Sequence, residues 1–279
     1  MGEPFIGSEA LAARRLTPYQ LRSRFVAVHR DVYVARDTRP TASARAKAAW
    51  LWSGRAGVVA GRSAAVLHGA KWVDGAAPAE MLYDNRRPPK GICTWSDQVA
   101  EDEIETVRGI AVSTPARTAL DLARRRPLDV AVAEIDALAR AAKLKIADIE
   151  LLAERYKGSR GIRDARVALD LVDPGAESPQ ETRVRLLLIR AGFPRPETQI
   201  PVYDEYGQLV AELDMGWRDV KVGVDYEGDH HWRSRRSFDR GIRRHAEVTE
   251  LGWDDVRITA EDSDGAIVGR VGRAWDRRT

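Results

Sequence analysis

The residues best suited to chemistry lie in one stretch, Glu212-Leu-Asp214-Met-Gly-Trp-Arg-Asp219-Val220-Lys-Val-Gly-Val-Asp225-Tyr-Glu227-Gly-Asp-His-His231. Its pattern predicts a tight β-hairpin. Alternate strand residues share a face, so Asp225 goes with Glu227 and Glu212 with Asp214. A turn centred on Asp219-Val220 sets Asp214 opposite Asp225 and Glu212 opposite Glu227. Like charges directly across a sheet destabilise it. A divalent metal is the simplest compensation, because hard cations prefer oxygen ligands. The segment therefore points to metal-dependent chemistry, with Mg²⁺ or Mn²⁺ as the expected cofactor.

The elements that must hold this hairpin follow from turn and cap signals. Ser178-Pro179 starts a helix that runs to about Ala191 and stops at Gly192. Strands are expected near 199–203, 208–217 and 220–227, a helix over about 234–250 ending at Gly252, and a strand over Asp254–Ile258. That αβββαβ unit is ordinary in size for a domain. Residues 172–180 combine Pro, Gly and Ser and mark the domain boundary. The segment Arg233-Ser-Arg235-Arg236-Ser-Phe-Asp-Arg240-Gly-Ile-Arg243-Arg244-His245 carries six arginines against one acid. Beside the carboxylates, it is expected to contact phosphates.

Upstream, residues 8–24 predict two short helices, the second opened by Thr17 as N-cap and Pro18 at the first helical position. Phe25–Val28 and Val32–Val34 form two β segments around His29-Arg30-Asp31. Helix, helix, hairpin is the order of a small winged helix-turn-helix. Tyr19, Gln20, Arg22 and Arg24 on the second helix are the types that contact phosphates and base edges. Residues 41–53, 61–69, 114–125, 128–143 and 146–156 are expected to be helical, with short strands near 80–83 and 110–112. The division is thus 1–75 for a winged helix-turn-helix region, 76–171 for a mainly helical middle region, and 172–279 for the hairpin-bearing domain. The fold class is α/β (α+β).

Asp214 and Asp225-Tyr-Glu227 on this frame resemble the PD-(D/E)xK nuclease superfamily, and more narrowly the very-short-patch-repair-like endonuclease domains. Those domains often carry an E-Y-D-G-x-H-H segment, read here as Asp225-Tyr226-Glu227-Gly228-Asp229-His230-His231 with the two acids exchanged. The helix Glu177-Ser-Pro-Gln-Glu181-Thr-Arg-Val-Arg and the tail Arg243 to Arg257 are similar too. The resemblance covers about residues 176–262 and implies a metal-dependent DNA endonuclease. Asp214 and Asp225 would be metal ligands, Glu181 would reach the metal or its water, and His231 would protonate a leaving group or orient water. Carboxylate-held Mg²⁺ can activate water and neutralise phosphate charge. Glu227 stands where the superfamily has lysine, which opens a second reading: a DNA-binding regulator whose nuclease-like domain is inactive. RNA cleavage in a toxin–antitoxin setting is a third.

The N-terminal region resembles the winged helix of abortive-infection-type (type IV) antitoxins through Leu16-Thr17-Pro18-Tyr-Gln-Leu21 and Arg30-Asp31-Val-Tyr-Val34. Relatives often have glycine at the place of Asp31. Gly61-Arg-Ser-Ala-Ala-Val-Leu-His68-Gly and Ser113-Thr-Pro-Ala-Arg-Thr-Ala-Leu-Asp-Leu122 carry the resemblance to about residue 125. Expected partners are DNA and either a second copy of the chain or a toxin–antitoxin partner.

Composition sets the bounds. The 279 residues are 44% hydrophobic and 31% charged, with 45 basic and 42 acidic side chains and a net charge of +3. No apolar run reaches the roughly 18 residues of a membrane span, so no membrane association is expected. The N-terminus has no secretory pattern. The single Cys93 cannot form an internal disulfide, and a cytoplasmic setting is expected.

Overall fold

The structure, a computed structural model, describes residues 3–228 and 244–279. It is mixed α/β with three separate sheets and no closed barrel among the described residues. The chain divides into two compact units, Met1–Val172 and Asp173–Thr279. Among the described residues no helix is long and apolar enough to cross a membrane.

The first unit opens with β1 (Phe5–Ile6), α1 (Gly7–Ala12), α2 (Pro18–Arg24), β2 (Phe25–His29) and β3 (Val32–Ala35), whose strands form a sheet in the order β1-β3-β2. Helix α2 starts where the cap chemistry requires. The Thr17 hydroxyl accepts from Gln20 N at 3.2 Å while Gln20 Oε1 accepts from Thr17 N at 2.9 Å, a reciprocal capping box. Asp31 sits in the β2–β3 turn at φ +59°, a left-handed conformation that glycine enters without strain and aspartate tolerates. Its carboxylate also accepts from Ser8 N at 2.9 Å.

The rest of the unit is built on a five-stranded mixed sheet. Its strands are β4 (Val58–Val59), β5 (Ala79–Leu82), β6 (Ile92–Trp95), β7 (Ile104–Val107) and β8 (Ile110–Ser113), in the order β6-β5-β4-β8-β7. The helices are α3 (Ala42–Trp52), α4 (Gly61–Leu67), α5 (Pro115–Arg125), α6 (Leu128–Ala142), α7 (Ile146–Arg155) and α8 (Ile162–Leu171). Strand β4 pairs with β5 and β8. The sheet therefore draws strands from both sides of residues 75 and 76, and packing has no break there. Helix α8 and strands β4, β6 and β7 lie where no element is expected from sequence, because three of the four are very short or lack a clean period.

The second unit holds α9 (Pro179–Arg190), β9 (Glu197–Tyr203), β10 (Leu209–Trp217), β11 (Val222–Glu227), a helix α10 over 244–250 within the described residues, β12 (Asp254–Thr259) and α11 (Asp264–Asp276). Its sheet runs β12-β11-β10-β9, antiparallel except for the parallel β11–β12 pair. One core packs Val184 and Leu188 of α9 and Ile267, Val271 and Ala274 of α11 against Met215, Trp217, Val222, Val224, Val256 and Ile258. A second packs Val248 and Trp253 against Ile200, Val202, Ala211 and Leu213. The sheet is thus packed between two cores where the carboxylates sit. The final helix α11 extends the αβββαβ order; its apolar Ile267, Val271 and Ala274 fall at i, i+4 and i+7, a helical stripe.

Candidate functional site

The β10–β11 hairpin pairs Met215 with Val224, Gly216 with Gly223 and Trp217 with Val222. The next position along this register brings Asp214 level with Asp225. There the backbone ladder gives way to side chains. Asp225 Oδ1 accepts from Asp214 N at 2.9 Å, and Asp214 Oδ2 accepts from Tyr226 N at 2.6 Å. Each aspartate thus caps the opposite strand, and the two carboxylates are locked beside one another. The glycine pair next to them lets the strands approach this closely. A Cβ on Gly216 would lie 2.2 Å from Val222 O, and one on Gly223 would lie 2.6 Å from Leu213 Cδ1.

The electrostatics follow from that packing. Burial, then the Asp225 and Glu181 charges, push the Asp214 carboxyl up to about 8. Burial and the Asp255 charge raise Asp225 to about 6, against the opposing pull of Arg244 and the Asp214 N–H. Arg244 Nη2 donates to Asp225 Oδ2 at 2.8 Å and also to the Glu212 carbonyl. Arg257 Nη2 pairs with Glu227 Oε1 at 2.6 Å. Guanidinium groups therefore supply part of the positive charge that the cross-strand acids require. The like-charge argument alone does not demand a metal.

Glu181 is 7% exposed, in the first turn of α9. Its Oε1 accepts from Ser178 Oγ at 2.8 Å and its Oε2 from Glu177 N at 2.8 Å. Its charge still reaches Asp214, as the shift of that carboxyl records. Glu212 is exposed. Among the described residues no group of three or more His, Cys, Asp or Glu is arranged to hold a metal ion. Asp214 Oδ1 accepts no hydrogen bond among the described residues, whereas both oxygens of Asp225 are engaged. A carboxylate oxygen has more than one lone pair, so Asp214 and Asp225 retain the chemistry of a hard-cation donor set, in competition with Arg244. His231, Arg233, Arg235, Arg236, Arg240 and Arg243 lie outside the described residues.

In the first unit Tyr19, Arg22 and Arg24 of α2 are exposed, Tyr19 by 74%. The amide oxygen of Gln20 serves the capping box, which leaves its NH₂ as the group able to reach outward. Sequence reasoning missed a charged cluster beneath α5. Arg117 is fully buried. Its Nε donates to Asp121 Oδ2 at 2.9 Å, and its Nη1 donates to Glu103 Oε2 at 2.6 Å and to Tyr156 Oη at 2.7 Å. The i,i+4 spacing of Arg117 and Asp121 was the available signal. The partners on Glu103 and Tyr156 are distant in sequence, so the cluster becomes visible only in three dimensions. It ties α5 to α7 and to the strand side of the unit. Two further histidines have partners: His68 Nε2 meets Ser113 O at 2.8 Å and His245 Nδ1 meets Asp255 Oδ2 at 2.7 Å.

Residues 55–172 match the AbiEi antitoxin C-terminal domain. The matched segment begins just before β4 and ends with the first unit, and it spans the five-stranded sheet and α4–α8. Two curated sequences from Mycobacterium tuberculosis, one from strain CDC 1551 / Oshkosh and one from strain ATCC 25618 / H37Rv, are each 29% identical over 255 residues. The alignments cover 90% of this chain and 93% of those proteins, both of which are described as uncharacterized. No solved structure gives a significant match.

Proposed function

We propose that the protein is a DNA-binding regulator of antitoxin type, its N-terminal sheet and helix pair serving as a winged helix-turn-helix. The observation that carries this reading is the match of residues 55–172 to the AbiEi antitoxin C-terminal domain. The exposed Tyr19, Arg22 and Arg24 of α2 support it, since such side chains contact phosphates and base edges. Fluorescence anisotropy with labelled duplexes over a salt series tests it. Full-length protein is expected to bind with strongly salt-dependent affinity. Replacing Arg22 and Arg24 by alanine together should lower the slope of log K against log salt by about 2, the contribution of two phosphate contacts. Absence of duplex binding at low salt, or binding indifferent to both arginines, would sink the reading. A toxin–antitoxin partner and self-association belong to the same proposal.

A second reading is favoured by one specific observation, the locked Asp214–Asp225 pair with the Glu181 charge beside it. In it the second unit is a metal-dependent endonuclease. Asp214 and Asp225 would hold Mg²⁺ or Mn²⁺, which supplies charge neutralisation and a more acidic water. Glu181 would orient that water, and the 233–244 arginines would contact the phosphate backbone. The assay is nicking of plasmid, linear duplex and single strands with metal or chelator, beside Asp214→Ala. Metal-dependent nicking lost in Asp214→Ala supports the enzyme. Nicking absent from the wild type, or unchanged in Asp214→Ala, leaves the regulator alone.

A further inference from the structure

The acid pair of the β10–β11 hairpin already carries a cation from its own chain. Arg244, at the start of the described part of α10, donates through Nη2 to Asp225 Oδ2 at 2.8 Å and to the Glu212 carbonyl. One nitrogen thus bridges Asp225 and the backbone of β10. The next residue ties the same turn to the sheet, since His245 Nδ1 meets Asp255 Oδ2 at 2.7 Å. The guanidinium lies on the solvent side of the pair: the Arg244 side chain is 40% exposed, that of Asp225 only 10%. Three of the four carboxylate oxygens are therefore engaged, Asp225 Oδ1 by Asp214 N, Asp214 Oδ2 by Tyr226 N and Asp225 Oδ2 by Arg244. Asp214 Oδ1 is the open corner among the described residues. Arg257 cannot take over from Arg244 unchanged, because its Nη2 is held by Glu227 Oε1 at 2.6 Å.

We propose that Arg244 decides whether the acid pair accepts a divalent cation. With the guanidinium on Asp225 Oδ2 the pair is self-neutralised, and a metal ion enters only when Arg244 swings away; this rests on the second reading above, with Mg²⁺ or Mn²⁺ as the cation. The two cations exclude one another. The guanidinium satisfies the carboxylate through a charge-assisted hydrogen bond. A dication shared by Asp214 and Asp225 would lie within a few ångströms of it, where like charges repel even in a well-solvated setting. The contact is also built to open. Arg244 is held through Nη2 alone among the described residues, and its Nε is buried without a hydrogen-bond partner. It lacks the two-pronged fork that makes an arginine–carboxylate pair permanent.

Mn²⁺ binding to the full chain, read as loss of the free-ion electron paramagnetic resonance signal, tests this. The proteins are wild type, Arg244→Ala, Arg244→Gln, and Arg244→Gln combined with Asp214→Ala. Arg244→Gln keeps a donor for the Glu212 carbonyl and removes only the charge, so it guards against a variant that fails to fold. Wild type is expected to bind Mn²⁺ weakly and Arg244→Gln at least about tenfold more tightly. Adding Asp214→Ala should abolish the gain. Equal, tight binding by wild type and both Arg244 variants would overturn the role of Arg244 and leave the metal reading standing. No binding by any of them, in proteins that melt cooperatively, would overturn both. A gain that survives Asp214→Ala would put the ion elsewhere and overturn the proposal as well.

Discussion

Asp214 is partly buried beside other acids, and the consequences are measurable without any activity. Its folded carboxyl holds a proton up to about pH 8, against an ordinary value of 3.8. A carboxyl with a raised folded value binds more protons folded than unfolded between those limits, so stability declines as pH rises through that window. Asp214→Asn removes the ionisation. With chelator present, its melting temperature should rise relative to wild type by several degrees as pH goes from 5 to 8, while the two converge near pH 4. A pH-independent difference would show that the carboxyl is ionised throughout. Arg117 is the opposite case, a buried cation whose partners surround it. Arg117→Ala would leave Glu103 and Asp121 buried without their guanidinium, at a cost of about 3–5 kcal/mol, read as a shift in the denaturant midpoint. A loss below about 1 kcal/mol would mean that the cluster relaxes to solvent. Neither residue announces its environment in the sequence, since an aspartate in a strand and an arginine in a helix are common on solvated faces.

At the scale of elements, the β10–β11 hairpin was legible because its chemistry is local. Alternation and a turn at Asp219-Val220 suffice to align Asp214 with Asp225, and the observed register agrees. The glycine pair that permits the alignment is less legible, because a strand glycine has several explanations. Gly216→Ala should destabilise the second unit by about 1–3 kcal/mol, since the added methyl meets the Val222 carbonyl rather than a movable side chain. Chemical denaturation followed by tryptophan fluorescence reads this directly, as Trp217 is the next residue in the strand. Unchanged stability would mean that the hairpin can open without loss. Helix α2 and its capping box were equally readable, through Thr17, Pro18 and Gln20. Strand β4 was not: its two residues pair in both directions only because β5 and β8, far along the chain, come to meet it.

For the whole molecule, the Pro, Gly and Ser cluster after residue 172 coincides with the division into two units. The first unit holds two of the three sheets and the second unit the third, and each unit has buried clusters of its own. Residues 1–172 and 173–279 produced separately are expected to fold cooperatively, with circular dichroism spectra that sum to that of the intact chain. An unfolded piece would show that one unit needs the other. The similarity to the AbiEi antitoxin C-terminal domain fits this modular plan, because the match stops at residue 172, where the first unit ends.

What the sequence determined alone were the features set by neighbours along the chain. These are the hairpin alternation that aligns two aspartates, the caps that start α2 and α9, and the punctuation between the units. Tertiary structure alone decided which charges meet. It brought Arg244 to Asp225, Arg257 to Glu227, and Glu103 and Tyr156 to Arg117. The physical reason is range. Backbone conformation and capping are fixed within a few residues, whereas the desolvation that raises a carboxyl or buries a guanidinium depends on surfaces contributed from many residues away.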